Sequence, residues 1–99
     1  EPVVGLATVM LRESSYYDGP VALVEDLYVR PDERGRGIGT AMVTLLFEHA
    51  QSTGVSAVEV NVDEPDADAL RFYERHGFVH RDPGTGDRAF YLYRELDDA

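Results

Sequence analysis

The sequence predicts an α/β sandwich in which a mixed, mostly antiparallel sheet contains one central parallel β-α-β unit. Two observations carry this prediction: apolar residues recur at helical spacing over residues 38–53, and strand-like apolar segments stand on both sides of that helix. Because a helix that joins neighbouring strands forms a right-handed crossover, these two strands are expected to be parallel. The predicted order is β-β-α-β-α-β-β. A chain of 99 residues has room for one core, so residues 1–99 are interpreted as a single domain.

The first two strands are predicted to form an antiparallel hairpin. Residues 3–11 are a long apolar run with β-branched side chains, and Gly5 within it allows a bend or a bulge. A Tyr-Tyr-Asp-Gly-Pro sequence then supplies turn chemistry. Residues 21–29 return as the second strand, and two acidic residues, Glu25 and Asp26, interrupt it in the middle.

The two predicted helices are marked by their ends. The first covers residues 38–53, with Gly54 in the position of a C-terminal cap. Its apolar face is expected to carry Ile38, Met42, Leu45, Leu46 and His49. Residues 55–62 follow as a strand, since valines alternate there. The second helix is expected to open at Asp63, with Pro65 in its first turn, and to end near His76.

The chain is expected to close with two antiparallel strands, over residues 78–82 and 89–96. A Pro-Gly-Thr-Gly turn lies between them. The later segment, Ala-Phe-Tyr-Leu-Tyr-Arg-Glu-Leu, is rich in aromatic residues that favour strands.

Charge and composition exclude several classes of function. The formal net charge of −10 repels nucleic acid and anionic membranes and attracts cationic substrates. No apolar run approaches the ~20 residues of a membrane span, so we expect a cytoplasmic protein with neither nucleic acid nor membrane as a partner. The chain has no cysteine, and its three histidines show no metal-ligand spacing. We therefore expect no metal.

The glycine-rich turn at residues 30–40 is typical of a loop that binds phosphate. Its glycines let the backbone approach a ligand closely, and their tolerance of positive φ lets successive N–H groups converge on an anion. The helix that follows directs unpaired N–H groups and its positive dipole end to the same place. Two arginines can add charge-assisted contacts. The predicted phosphate-binding residues are Arg34, Gly35, Arg36, Gly37, Ile38, Gly39 and Thr40. The alternative is a simple glycine-rich turn with solvated arginines.

Two motifs in this chain resemble those of the GNAT superfamily of N-acetyltransferases. The first is R-x-x-G-x-G, with Arg34, Gly37 and Gly39 at its fixed places, which resembles the pyrophosphate-binding motif. The second is Ala-x-x-Phe-Tyr-x-x-x-Gly-Phe over residues 69–78. The resemblance covers nearly the whole chain. Glu-Asp-Leu-Tyr-Val before the loop makes diamine and polyamine acetyltransferases the most similar members.

The resemblance implies a GNAT-like acyl-CoA acyltransferase fold with acetyl-CoA as co-substrate and no metal. In this family the strand before the loop and the strand after the first helix splay apart, and their free backbone groups hold the pantetheine arm. The residues implied to bind the cofactor are Leu27, Tyr28, Val29, Arg34, Gly35, Arg36, Gly37, Ile38, Gly39, Thr40, Asp66 and Phe72. A backbone N–H near Leu27 or Val29 is expected to polarise the thioester carbonyl.

Three side chains are candidates for the chemistry and for amine binding. By resemblance, Tyr73 protonates the departing CoA thiolate; the alternative is an ordinary aromatic on an apolar helix face. Glu25 is the favoured base for the amine, and Asp26 is a second amine-binding group or a structural one. Neighbouring strand residues point to opposite faces, so both carboxylates reach one cleft only if a bulge intervenes. Otherwise they are solvated or ion-paired charges.

The predicted acceptor is the primary amine of a small cationic molecule. A protein N-terminus or a lysine side chain is an alternative acceptor, and a non-catalytic CoA-binding module is an alternative function. Two departures from the family bear on this choice. Asp66 stands where members often have an asparagine that helps to hold CoA. The strand and helices that normally precede the strand at residues 3–11 are absent from the sequence, which suggests a fragment and leaves an apolar edge that a homodimer would cover.

Overall fold

The computed structural model describes residues 3–96, and the chain divides after Asp63 into two compact units. The elements, in chain order, are β1 (Gly5–Arg12), β2 (Val21–Val29), a short 3-10 turn (Pro31–Glu33), α1 (Ile38–Ser52), β3 (Ala57–Val60) and α2 (Ala67–Arg75). No helix within the described range is both long and apolar enough to cross a membrane.

The first unit contains a three-stranded sheet in the order β1-β2-β3. β1 is antiparallel to β2, and β2 is parallel to β3. The predicted mixed sheet with a parallel β-α-β unit is therefore confirmed. β2 begins and ends where the sequence predicts, and α1 ends one residue earlier than predicted, whereas β3 is only four residues long.

β2 contains a bulge at its two acidic residues. Thr8 pairs with Asp26, but the next residue of β1, Val9, pairs with Val24. Glu25 is therefore an extra residue that has no partner of its own on β1. The bulge lies in β2 and not at Gly5, where the sequence allowed a bend.

The face of α1 that packs on the sheet agrees only in part with the predicted one, since Ile38, Met42 and Leu46 are half-buried. The core of the described residues consists of Val21, Ala22, Val24, Val43 and Ala50. Of these, Val43 and Ala50 belong to α1, whereas Leu45 is 65% exposed and His49 is also exposed. The predicted placement of those two residues on the buried face is therefore wrong. Apolar side chains surround more than half of this helix, so its sequence pattern does not select one face.

Hydrogen bonds join the turn between β1 and β2 to the segment that follows α1. The N–H of Gly19 donates to the Ser56 hydroxyl at 2.8 Å, and the N–H of Ser56 donates to the Pro20 carbonyl at 2.9 Å. A Cβ atom on Gly19 would lie 2.1 Å from the carbonyl oxygen of Gly54. The turn can therefore approach the Gly54 carbonyl this closely only because residue 19 has no side chain.

The second unit begins with α2, which starts later than predicted. Asp66 is its N-cap, so Pro65 precedes the helix and does not lie in its first turn. The Oδ1 atom of Asp66 accepts a hydrogen bond from the Ala69 N–H at 3.2 Å. The capping role that the sequence allows for this carboxylate is thus present.

The two closing strands predicted over residues 78–82 and 89–96 do not form in the described structure. Arg81 and Arg88 make one isolated bridge, and Asp82 orders the turn between them by accepting from two turn N–H groups. Beyond the bridge the side chains of Phe90 and Leu92 are 70% and 87% exposed. A two-stranded ribbon without an apolar surface beneath it is marginal in water, which accounts for the difference.

Substitution of Gly19 by alanine should destabilise the first unit by roughly 1–3 kcal/mol, because the new methyl group collides with a backbone oxygen that is held by the end of α1. Urea unfolding followed by circular dichroism measures the change. Gly84→Ala is the matched control, since a Cβ there meets only the end of the Asp82 side chain at 3.2 Å. Equal stability of the two variants would contradict the proposed packing of the turn.

Candidate active site

In the described sheet, the last residues of β2 have no strand partner on the edge that faces β3, because β3 ends before β2 does. The β2–β3 ladder ends at the pair Val24 and Val60. On the opposite edge, the Arg30 N–H donates to the Val4 carbonyl at 2.8 Å. Residues of an antiparallel strand alternate between bonding to their partner and facing away from it, so Leu27 and Val29 direct their peptide groups away from β1. These groups lie along the edge of β2 that β3 no longer covers.

Arg34 attaches the glycine-rich loop to the end of β2. Its Nε donates to the Val29 carbonyl at 2.9 Å, and its Cζ lies 5.6 Å from the centroid of the Tyr28 ring. The Val29 carbonyl is therefore occupied by the loop. On this edge, neither the described ladder nor Arg34 engages the N–H of Val29 or the N–H and carbonyl of Leu27. These three groups could therefore bond to a ligand.

Two of the three loop glycines adopt the left-handed conformation. Gly35 has φ = 81° and Gly37 has φ = 79°, and a side chain at either position would meet no neighbour within 4 Å. Backbone conformation, not crowding, therefore requires glycine there. Gly39 differs, because it lies in the first turn of α1 and has no positive φ. The expectation that all three glycines use positive φ is wrong for this residue.

The N-terminus of α1 has the features of an anion site. Gly37 is its N-cap, no side chain caps it, and no acidic residue lies in the first turn. Ile38 and Thr40 belong to this turn, and the Thr40 carbonyl accepts a hydrogen bond from the Thr44 hydroxyl at 2.9 Å. The positive end of the helix dipole is thus not neutralised by a carboxylate of its own first turn.

The loop arginines are engaged with neighbouring acids. Arg30 donates to both carboxylate oxygens of Asp32, at 3.1 and 2.6 Å, and Arg36 pairs with Glu33 at 2.9 Å. Sequence reasoning missed these two acids, although their spacing from the arginines was a usable signal. Because a guanidinium has five N–H donors, Arg34 and Arg36 keep donors for an additional anion.

The two carboxylates at the bulge have different surroundings. Asp26 accepts a hydrogen bond from the Thr8 hydroxyl at 2.7 Å, whereas Glu25 makes no side-chain hydrogen bond or ion pair within residues 3–96. Both side chains are exposed. The bulge breaks the strict alternation of faces, which is the condition under which both carboxylates can reach one cleft.

Asp66, Phe72 and Tyr73 lie in the second unit. The Phe72 ring is 5.2 Å from that of Tyr73 and 4.7 Å from that of His76, and the Phe78 ring is 5.3 Å from that of Tyr73. Burial, and secondarily the negative charge of Asp66, raise the pKa of the Tyr73 phenol above its ordinary value of 10.0. Tyr73 is therefore fully protonated at neutral pH.

No group of three or more potential metal-ligating side chains occurs in the part of the chain that the structure describes. The first unit offers backbone amides, a helix N-terminus, arginines and two carboxylates, and the second unit offers a protonated phenol. The amides, the helix N-terminus and the arginines of the first unit suit a phosphorylated, amide-containing ligand.

The sequence of this chain is similar to known acetyltransferases. The model of the Acetyltransferase (GNAT) family matches residues 1–78. An uncharacterised N-acetyltransferase of Methanocaldococcus jannaschii is 40% identical over 66 residues, which are 67% of this chain and 29% of that protein. The mycothiol acetyltransferase of Thermobispora bispora is 41% identical over 62 residues, which are 63% of this chain and 21% of that protein.

Solved structures share the fold. A proposed acetyltransferase from Arthrobacter sp. FB24 has a TM-score of 0.83 and 42% identity, with 94% of this chain and 60% of that chain covered. An aminoglycoside acetyltransferase from an uncultured soil metagenomic sample, in complex with sisomicin, has a TM-score of 0.76 and 26% identity, with 95% and 59% covered. The chain thus spans less than a third of the two curated relatives and about three fifths of these structures. Because the family model matches most of its length, this chain belongs to the GNAT family of acetyltransferases.

Proposed function

We propose that this protein is an acetyl-CoA-dependent N-acetyltransferase that transfers the acetyl group to a primary amine of a small cationic molecule. The observation that carries the proposal is the continuous path from the uncovered edge of β2, through the left-handed glycines, to the uncapped N-terminus of α1. The family uses acetyl-CoA as its co-substrate, and this path offers groups that suit both parts of that molecule.

The backbone would hold the two parts of acetyl-CoA differently. The uncovered peptide groups of Leu27 and the Val29 N–H can pair with the amides of the pantetheine arm as an added strand would. The segment from Gly35 to Thr40 would hold the pyrophosphate with its N–H groups and helix dipole, and Arg34 and Arg36 would add charge-assisted bonds. A Leu27 or Val29 N–H would also polarise the thioester carbonyl.

Glu25 is the group we assign to the acceptor amine. An alkyl amine with a pKa of ~10.4 is almost fully protonated at pH 7, so forming its neutral nucleophile costs about 4–5 kcal/mol. A carboxylate that accepts this proton before the nitrogen attacks supplies the neutral amine at the site. Glu25 is exposed at the bulge and is unpaired within the described residues. Asp26, which Thr8 holds in place, would bind the cationic amine.

Tyr73 is the group we assign to the departing thiolate. Its phenol is protonated at neutral pH and can donate directly, without prior activation. Phe72 packs edge to face against it and would border the cofactor.

A small cationic acceptor is supported by charge and by the relatives. The chain carries a formal net charge of −10, which favours basic substrates over acidic ones. The aminoglycoside acetyltransferase above was solved with sisomicin, and the mycothiol enzyme is also named for a small molecule. Polyamines are a third class to test, because the Glu-Asp-Leu-Tyr-Val sequence of β2 resembles that of diamine and polyamine enzymes.

A homodimer remains part of this proposal. β1 is an edge of the described sheet, and Leu6, Met10 and Leu11 on it are 55%, 49% and 61% exposed. Exposed apolar edges favour pairing with another strand.

Release of free thiol from acetyl-CoA should depend on an added amine. We expect turnover with polyamines or aminoglycosides that rises with pH as the amine loses its proton, measured with a thiol reagent. Turnover with basic peptides alone would instead indicate a protein acetyltransferase. CoA binding without turnover on any acceptor would contradict the enzymatic proposal and favour a binding module.

Replacement of Tyr73 by phenylalanine should lower kcat by about 100-fold, in line with the loss of a general acid, while CoA binding is retained. Steady-state kinetics and a CoA binding isotherm separate the two effects. Tyr16→Phe is the control, since Tyr16 is 93% exposed in the β1–β2 turn. Unchanged kcat in Tyr73→Phe would show that another group protonates the thiolate.

The Glu25→Gln variant should lose roughly 10- to 100-fold in kcat at pH 7 and much less near pH 10, where about a quarter of the amine is already neutral. A pH series of initial rates reveals this difference. Glu48→Gln, at an exposed position on α1, serves as the control. A loss of equal size at both pH values would argue against Glu25 as the base.

A further inference from the structure

Glu33 and Arg36 form an ion pair within the glycine-rich loop. The Nη1 atom of Arg36 donates to Oε1 of Glu33 at 2.9 Å. Glu33 is the last residue of the 3-10 turn, and its N–H donates to the Arg30 carbonyl at 2.9 Å, which anchors its backbone. Arg36 directly precedes Gly37, the N-cap of α1. A negative charge is thus held against an arginine of the segment that we propose for the pyrophosphate.

The two partners of this ion pair differ in their exposure. The Glu33 side chain is 23% exposed, whereas that of Arg36 is 67% exposed. The carboxylate is therefore largely covered by the protein, and the guanidinium is the partner that an anion from solvent can approach. Gly35 lies between the two residues, and a side chain there would meet no neighbour within 4 Å, so this part of the loop is open.

The other two arginines of the loop have partners of a different kind. Arg30 donates to both carboxylate oxygens of Asp32, at 3.1 and 2.6 Å, and it is not among the residues predicted to bind phosphate. Arg34 donates to the Val29 carbonyl, which is a neutral acceptor. In this loop, Glu33 is therefore the acid whose ion pair involves an arginine that we assign to the pyrophosphate.

We propose that Glu33 is an affinity-determining residue of the cofactor site, because its carboxylate competes with the cofactor pyrophosphate for Arg36. The inference rests on the proposed binding of acetyl-CoA by this loop. A carboxylate that accepts from Arg36 occupies part of its five N–H donors and neutralises its charge. The pyrophosphate has to displace this carboxylate or share the guanidinium with it. In either case the cofactor binds less tightly than it would without Glu33.

The strength of the ion pair fits competition and not a permanent block. Ion pairs with an exposed partner shift an equilibrium by no more than about fivefold. A pyrophosphate carries more charge than one carboxylate, and it can accept from the loop N–H groups at the same time. Glu33 therefore lowers the affinity for the cofactor without closing the site.

This competition would favour the release of product. CoA carries the same pyrophosphate as acetyl-CoA, so a loop that held acetyl-CoA very tightly would also retain CoA after the reaction. Product release limits the turnover of many enzymes. Because Glu33 weakens both complexes alike, it would speed the exchange of CoA for acetyl-CoA.

Replacement of Glu33 by glutamine tests the competition, because glutamine keeps the size of the side chain and removes its charge. Calorimetric titration of the purified protein with CoA should give a Kd about two- to fivefold lower in Glu33→Gln than in the wild type. The rate of CoA dissociation, measured by stopped flow, should fall by a similar factor. The difference in Kd should shrink at high salt, which screens an exposed ion pair.

Two further variants show whether the effect depends on Arg36. Asp32→Asn is the matched control, since it removes the neighbouring acid, which pairs with Arg30 instead, and it should change the Kd for CoA much less. Arg36→Gln should itself bind CoA more weakly, and adding Glu33→Gln to it should bring no further gain. Circular dichroism verifies that each variant is folded.

The outcomes separate this inference from the proposed function. Weaker or unchanged CoA binding in Glu33→Gln overturns the inference, since Glu33 would then support Arg36 or have no influence on it. An equal gain in Asp32→Asn, or a full gain in the Arg36→Gln background, also overturns it, because the effect would then be one of overall charge. Failure of the wild type and of every variant to bind CoA would contradict the proposed function, and the inference with it.

Discussion

The early end of the β2–β3 ladder is the constraint on which the rest of the proposed cofactor site depends. β2 is paired on both edges only as far as Val24, and its remaining residues bond to β1 alone. A strand with one free edge would normally invite further pairing. Here the free edge leads directly into a loop and a helix N-terminus that both favour anions. The proposed site therefore consists chiefly of backbone N–H and carbonyl groups, and the side chains contribute fewer of its contacts.

The bulge at Glu25 has a related effect on the two carboxylates that we propose for the acceptor amine. An unbroken strand would send Glu25 and Asp26 to opposite faces. The extra residue changes that alternation near the point where the ladder to β3 ends. Thr8 then engages Asp26 and leaves Glu25 unengaged within the described residues. Two neighbouring residues of the same charge type thus have different surroundings, which is why we propose different roles for them.

The sequence predicted the local features of this protein better than the non-local ones. The bounds of β2 and the start of α1 follow from a proline, glycines and apolar spacing, all of which act within a few residues. The buried face of α1 followed only in part, because Leu45 satisfies the helical pattern as well as Val43 does and only packing against the sheet decides between them. The prediction of two closing strands was wrong for the same reason. Strand pairing depends on an apolar surface to pack against, and the sequence of residues 89–96 does not say whether one is present.

The hydrogen bond from Arg34 to the Val29 carbonyl has a consequence for the rate of ligand capture. A loop with two left-handed glycines has many accessible conformations, and ordering it on binding would cost affinity. The hydrogen bond from Arg34 links the loop to the sheet, so part of that entropy is lost during folding. An anion that binds as proposed would therefore meet a partly preorganised loop, and its association would depend less on a rare loop conformation.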